Sequence, residues 1–156
     1  MKINLIMKKF LCFILFVSLC FSAYGASKKW LNYVNSRFGY EIKYPNIFSQ
    51  QTEPANGDGI FLESKGGKIK LTLSGGFNVL MQDGQSILEG REIKNVIKKE
   101  SGQNYFRIVC QDGKNIIHEY GIVNDDNWAS FTFSYPDTKN FDKEIQRMEQ
   151  TLKLSN

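Results

Sequence analysis

The stretch "WASFTFSYPDTKNFDKEIQRMEQTL", residues 128–152, decides the fold. Ala129, Phe131, Phe133 and Tyr135 fall on one face of its first part, and Trp128, Ser130, Thr132 and Ser134 on the other. A period of two with one apolar face is a half-buried strand. Pro136 stops it, because proline has no N–H to give a ladder. The period then changes. Phe141, Ile145, Met148 and Leu152 recur at spacings of 4, 3 and 4, the stripe of an amphipathic helix. Asp142, Lys143, Gln146, Arg147 and Glu149 take its wet side, and Asn140 stands where an N-cap belongs. A sheet with one apolar face needs a cover, and this helix supplies one.

Working toward the N-terminus, residues 104–111 alternate Tyr105, Arg107 and Val109 against Phe106, Ile108 and Cys110. Asp112-Gly113 is a hairpin signal, and residues 115–123 return as a strand. Asn124-Asp125-Asp126-Asn127 turns the chain into the stretch quoted above. A short basic strand is expected at 96–100. A short helix is expected within 83–94, capped by Ser86 with Glu89 completing a capping box, and weakened by Gly90. Earlier strands are expected at 30–35, 40–44, 60–63 and 68–73, the last broken by Ser74-Gly75-Gly76. Lys65-Gly66-Gly67 marks the hairpin between the last two. Pro45 ends the second strand as Pro136 ends the last. A shared stop signal accounts for the likeness of GYEIKYP (39–45) to SFTFSYP (130–136). Strands, a short helix, a meander and a closing helix predict an α+β domain, its mainly antiparallel sheet covered by the C-terminal amphipathic helix and a short middle helix.

The N-terminus is an export signal. Lys2, Lys8 and Lys9 precede FLCFILFVSLCF (10–21), and small residues follow. Cleavage between Gly25 and Ala26 places small Ala23 and Gly25 at the −3 and −1 positions. Met7-Lys8-Lys9 would serve equally as a start. The apolar run is shorter than the ~20 residues of a membrane span, and Leu19 before Cys20 argues against lipidation. Residues 1–25 are therefore read as a cleaved secretory signal and 26–156 as one domain, periplasmic or secreted. Of 20 basic residues three leave with the signal, so 17 face 16 acidic ones and the net charge falls from +4 to +1. No basic stripe remains to meet nucleic acid. Cys12 and Cys20 leave as well; Cys110 is then the only cysteine, no internal disulfide can form, and the core must hold the domain.

Chemistry-bearing residues are few. Cys110 as a nucleophile would need a base, and His118 is the only histidine. With the hairpin turn centred at 112–113, Cys110 falls opposite about residue 115 rather than 118, and its alternation with Phe106 and Ile108 reads as a packed thiol. A lone histidine makes no zinc site. No G-x-S-x-G elbow, phosphate loop or dinucleotide motif occurs. "EPANGDGIFLES" (53–64) is the one glycine–acid cluster. Asp58, with Glu53 and Glu63 five residues away on either side, is a calcium candidate. A turn explains more of it: Pro54 stiffens the entry, Asn56 and the glycines accept positive φ, and Asp58 bonds local amides.

Several of these segments together resemble a known family. Gly39-Tyr40-Glu41-Ile42-Lys43-Tyr44-Pro45 matches a "GF-x-I-x-YP" opening, and Asn56-Gly57-Asp58-Gly59-Ile60-Phe61 an "NGDG-x-x-F" segment. Ser64-Lys65-Gly66-Gly67 stands where the pattern has a "DG" hairpin and departs from it there. Phe133-Ser134-Tyr135-Pro136 and the helix after Asn140 close the match. The pattern is similar to the PsbP-like and DcrB-like sandwiches of small exported bacterial proteins. That resemblance implies an antiparallel sheet covered by helices, a generally non-catalytic binding or assembly role, no cofactor and no catalytic residues. The expected function is thus an exported, non-enzymatic interaction or accessory domain whose partner is an envelope or extracellular protein or a small ligand. Two alternatives stand beside it: an envelope hydrolase or thiol enzyme using Cys110 and His118, and a calcium-dependent adhesion or ligand module at Asp58.

Overall fold

The computed structural model describes residues 29–155. The expected signal, its Gly25–Ala26 boundary and Cys12 and Cys20 lie outside the described residues. The elements run β1 (Trp30–Asn35), β2 (Tyr40–Pro45), β3 (Phe48–Thr52), β4 (Gly59–Ser64), β5 (Lys70–Phe77), α1 (Gly84–Glu89), β6 (Val96–Ser101), β7 (Tyr105–Asp112), β8 (Asn115–Val123), β9 (Asn127–Pro136), α2 (Asp142–Thr151) and β10 (Lys153–Leu154). Strands β3-β4-β5-β9-β8-β7-β6 form one sheet in that order and β1-β2-β10 a second. Every pairing is antiparallel.

The register explains the layers. Ile60 faces Leu73, Leu62 faces Leu71, and these continue to Phe131 and Phe133 on β9. That apolar face meets Tyr40, Ile42 and Tyr44 of β2 and Ile145 and Met148 of α2 in one core. The helix stripe read from the sequence is therefore a core face. Phe141 and Leu152 extend it beyond the helix ends. The N-cap is Phe141 rather than the expected Asn140 and no side chain caps the helix; Asn140 stands one residue further out, its Oδ1 accepting from Asp142 N at 2.9 Å. The opposite face of the large sheet carries a smaller cluster, Leu88 of α1 over Phe106 and Ile108 of β7.

Four other local expectations change. Gly75 and Gly76 do not break β5, which pairs with β9 as far as Phe77. They clear space for rings: a Cβ on Gly75 would stand 2.5 Å from Tyr40 Cε1, and one on Gly76 2.9 Å from Trp128 Nε1. The short helix, Gly84–Glu89, begins before the expected Ser86 cap and ends well inside the 83–94 window. Asp83, not Ser86, is its cap, accepting from Ser86 N at 2.7 Å. The β7–β8 hairpin closes at Asp112↔Asn115, one residue later than expected, so Cys110 faces Ile117. Finally, β3 and β10 are strands that the sequence does not announce.

Candidate functional site

The glycine–acid cluster is a turn that ties the two sheets together. Gly57 has φ +65°, and its carbonyl accepts from Asn35 Nδ2 at 2.9 Å. Arg37 donates to the Asn56 carbonyl. The Asp58 carbonyl accepts from the Tyr40 hydroxyl at 2.8 Å and from Gly75 N at 2.9 Å. The Asp58 carboxylate accepts from Asn56 Nδ2 at 2.7 Å. Glu63 pairs with Lys70 at 2.9 Å and Glu53 accepts from Gln51 Nε2 at 3.1 Å. The three acids of the calcium candidate are thus each bonded to a different side chain. Burial, then the neighbouring Tyr33, drives the Tyr40 hydroxyl far above the ordinary tyrosine value, so it stays a donor.

Cys110 and His118 do not meet. Cys110 pairs with Ile117 and His118 with Val109, and adjacent strand residues point to opposite faces. The thiol lies on the α1 side, half-buried rather than packed in the core. Burial and then Asp112 and Glu119 raise its pKa, which lowers the thiolate fraction a nucleophile needs.

His118 lies on the other side, buried beneath α2. Its Nε2 is 2.9 Å from Glu149 Oε1, and its ring stacks on Phe131 at 6.1 Å. Arg107 grips the same carboxylate with Nε at 2.8 Å and Nη2 at 2.7 Å, and its Nη1 donates to Glu100. Burial pulls Glu149 upward, but the bonds from His118 and Arg107 outweigh it and hold it below the ordinary glutamate value. The bond to Glu149 comes first among the causes that push the Arg107 guanidinium above its usual value. A cleft of about 380 Å³ opens beside this cluster, reaching Lys98 and Asp142. Lys98 pairs with Glu100 at 2.9 Å, and Asp142 accepts from Asn140 Nδ2 at 3.0 Å. Glu149 could serve as a base here only by surrendering its bonds to Arg107 and His118.

The feature that sequence reasoning passed over lies between β5 and α1. Val79, Leu80 and Met81 are 81, 74 and 86% exposed, three consecutive large apolar side chains in solvent. The segment is a fixed tongue. Asn78, itself buried, donates through Nδ2 to the carbonyls of Gln82 at 2.9 Å and Asn124 at 2.8 Å. Its Oδ1 accepts from Gln82 N at 2.9 Å, and its own N–H reaches the Asp126 carbonyl at 2.7 Å. The turn it closes takes Met81 to φ +48°, a conformation non-glycine residues adopt at a cost. Beside the tongue runs a groove of about 390 Å³ floored by Phe106 and walled by Phe77, Ile87 and Trp128, with Arg91 at its side. On the other flank a recess joins Met81 to Asp83 and Asp125.

A solution structure of CyanoP, the cyanobacterial PsbP of Synechocystis sp. PCC 6803, matches this architecture with a TM-score of 0.57 over 85% of this chain and 96% of that one. The fold is PsbP-like. Identity to CyanoP is 11%, so the likeness carries the fold alone. A crystal structure from Bacteroides thetaiotaomicron VPI-5482 aligns with a TM-score of 0.56 at 11% identity, over 80% of this chain and 48% of that one. No protein-family model matches the sequence, and no curated protein matches it.

Within this PsbP-like layout, two of the titratable groups join layers. Glu149 joins α2 to β7 and β8, and Tyr40 joins the small sheet to the Asp58 turn. The groove and tongue instead lie where β5 ends and β9 begins, with Val79, Leu80 and Met81 exposed. Among the described residues no group of three or more His, Cys, Asp or Glu is placed to hold a metal, and no helix is long and apolar enough to cross a membrane.

Proposed function

We propose that this protein is an exported, non-enzymatic accessory domain that acts by binding a partner of the envelope or extracellular space. The observation that carries the reading is the rigid apolar tongue at 79–81, with its groove, held out by Asn78. Scattered exposed apolar residues are ordinary, but three in succession on a fixed loop form a contiguous patch of the kind that marks interaction sites. The groups suited to catalysis support the same reading: Arg107 and His118 are both bonded to Glu149, and Cys110 lies on the opposite sheet face from His118. Residues 1–25 support export, with the periplasm or the medium as destination.

The test is chemical crosslinking in intact envelopes from a photoreactive residue placed at Leu80 and, as control, at exposed Lys65 in the turn between β4 and β5. Adducts formed from position 80 and not from 65 are expected. Adducts of equal yield from both sites, or turnover of a substrate abolished by one substitution, would overturn the reading.

A further inference from the structure

We infer that Met81 is an oxidation site: a peroxide converts its thioether to the sulfoxide and so switches the tip of the tongue from apolar to polar. The switching rests on the reading of the tongue as the contact face; the choice of Met81 as the sulfur attacked does not. An oxidant must reach the sulfur lone pair, so susceptibility follows exposure. The two methionines among the described residues stand at opposite extremes. Met148 of α2 is 0% exposed in the main core, and Met81 is 86% exposed. The third sulfur among the described residues is Cys110, half-buried on the α1 side. A thiol reacts as its thiolate, and burial, Asp112 and Glu119 oppose that form. A thioether needs no deprotonation, which leaves Met81 as the first target.

The step balances within the pair of reactants. The O–O bond of the peroxide breaks as one oxygen bonds to sulfur. Sulfur gives up two electrons in passing from thioether to sulfoxide, and hydrogen peroxide is reduced to water. The fold has little stake in the product. Met81 belongs to neither core cluster, so no packing is lost. Its backbone is held independently of its side chain: Met81 N donates to the Asn78 carbonyl at 3.0 Å, and Gln82 N to Asn78 Oδ1 at 2.9 Å. The loop therefore stays in place while its tip changes polarity. In the free protein the new acceptor oxygen meets water and the recess that Met81 shares with Gln103 and Asn104, whose amides carry N–H donors. At an apolar contact the same oxygen would be buried without a partner, which costs binding. Methionine sulfoxide is reversible by reductases, so the change can be undone.

Peptide mapping by mass spectrometry, after hydrogen peroxide is added to the protein recovered after export, tests the site. Met81 should oxidise within about threefold of its rate in urea, and Met148 at least about tenfold more slowly than Met81. Protein oxidised at Met81 alone should keep the thermal midpoint of the untreated protein. In envelopes, adducts from the photoreactive residue at position 80 should fall at least about fivefold on oxidation. They should return on treatment with a methionine sulfoxide reductase and persist through peroxide in Met81→Leu. Met148 or Cys110 oxidising ahead of Met81, or a midpoint lowered by oxidation at Met81, overturns the inference. Adducts indifferent to peroxide overturn it too and leave the accessory role standing. Adducts absent from position 80 before any peroxide overturn the accessory role, and the switch with it.

Discussion

Replacing Glu149 with Gln tests whether the polar cluster under α2 is structural. The carboxylate accepts three bonds, two from Arg107 and one from His118, and its side chain is 14% exposed against 23% for Arg107. Each bond to a charged group contributes about 1.5–3 kcal/mol, and breaking a buried pair costs about 3–5 kcal/mol. Two features reduce the loss: Arg107 keeps Glu100, and water reaches part of the guanidinium. The expected destabilisation at pH 7 is about 2–3 kcal/mol. For a domain of this size that lowers the melting temperature by roughly 10 °C.

The pH dependence has a definite sign. Glu149 titrates below the ordinary glutamate value of 4.5 in the folded protein. Its contribution is therefore fully present above that value and is lost as pH falls through the depressed folded pKa. Thermal melts followed by far-ultraviolet circular dichroism should show a wide gap between wild type and Glu149→Gln at pH 7 that narrows below pH 4.5. Adding His118→Gln should cost less in the Glu149→Gln background than in wild type, since both act on one carboxylate. A gap under about 0.5 kcal/mol at pH 7, the scale of an ordinary surface change, would refute the reasoning. So would a gap of constant size down to pH 3.

Three further outcomes follow from the geometry. Gly75→Ala forces a methyl to within 2.5 Å of the buried Tyr40 ring; a loss of about 1–3 kcal/mol in urea unfolding is expected, and an unshifted midpoint would contradict the packing. Asn78→Ala removes three side-chain bonds from the tongue; amide exchange at Met81 and Gln82 should accelerate at least about tenfold, and unchanged protection would mean that the loop is not held by Asn78. The Cys110 thiol, raised by burial and by Asp112 and Glu119, should be alkylated by iodoacetamide at pH 8 more slowly in the folded protein than in urea; faster reaction when folded would revive it as a nucleophile.

The fold was legible because most elements repeat a period. Alternation alone locates β2, β7, β8 and β9, and the 4-3-4 stripe locates α2. The strands that escaped have no such signal. β3 reads Phe48-Ser-Gln-Gln-Thr52 and sits at the sheet edge with only Phe48 packed against the core, so polar residues occur where alternation would need apolar ones. β10 is two residues set by its pairing with Tyr40 and Glu41, a contact across more than a hundred positions. Gly75-Gly76 misled for a different reason. Glycine weakens an isolated strand, but in β5 it makes room for Tyr40 and Trp128, and those rings come from remote sequence.

The site was legible by elimination more than by signal. Alternation separates Cys110 from His118 once the hairpin register is known, and the register itself is missed by one residue because Asp112 ends the strand rather than opening the turn. The His118–Glu149–Arg107 cluster joins positions 107, 118 and 149 through two strands and a helix, and no spacing rule connects them. The tongue left one trace: Asn78-Val79-Leu80-Met81 is an apolar run after an asparagine, too short for a strand and out of phase with the helix that follows. Apolar residues outside any periodic segment find no face to join. Unless a buried polar clamp fixes their backbone, they would collapse onto the nearest groove. Asn78 supplies that clamp, and the groove beside it remains open for another surface.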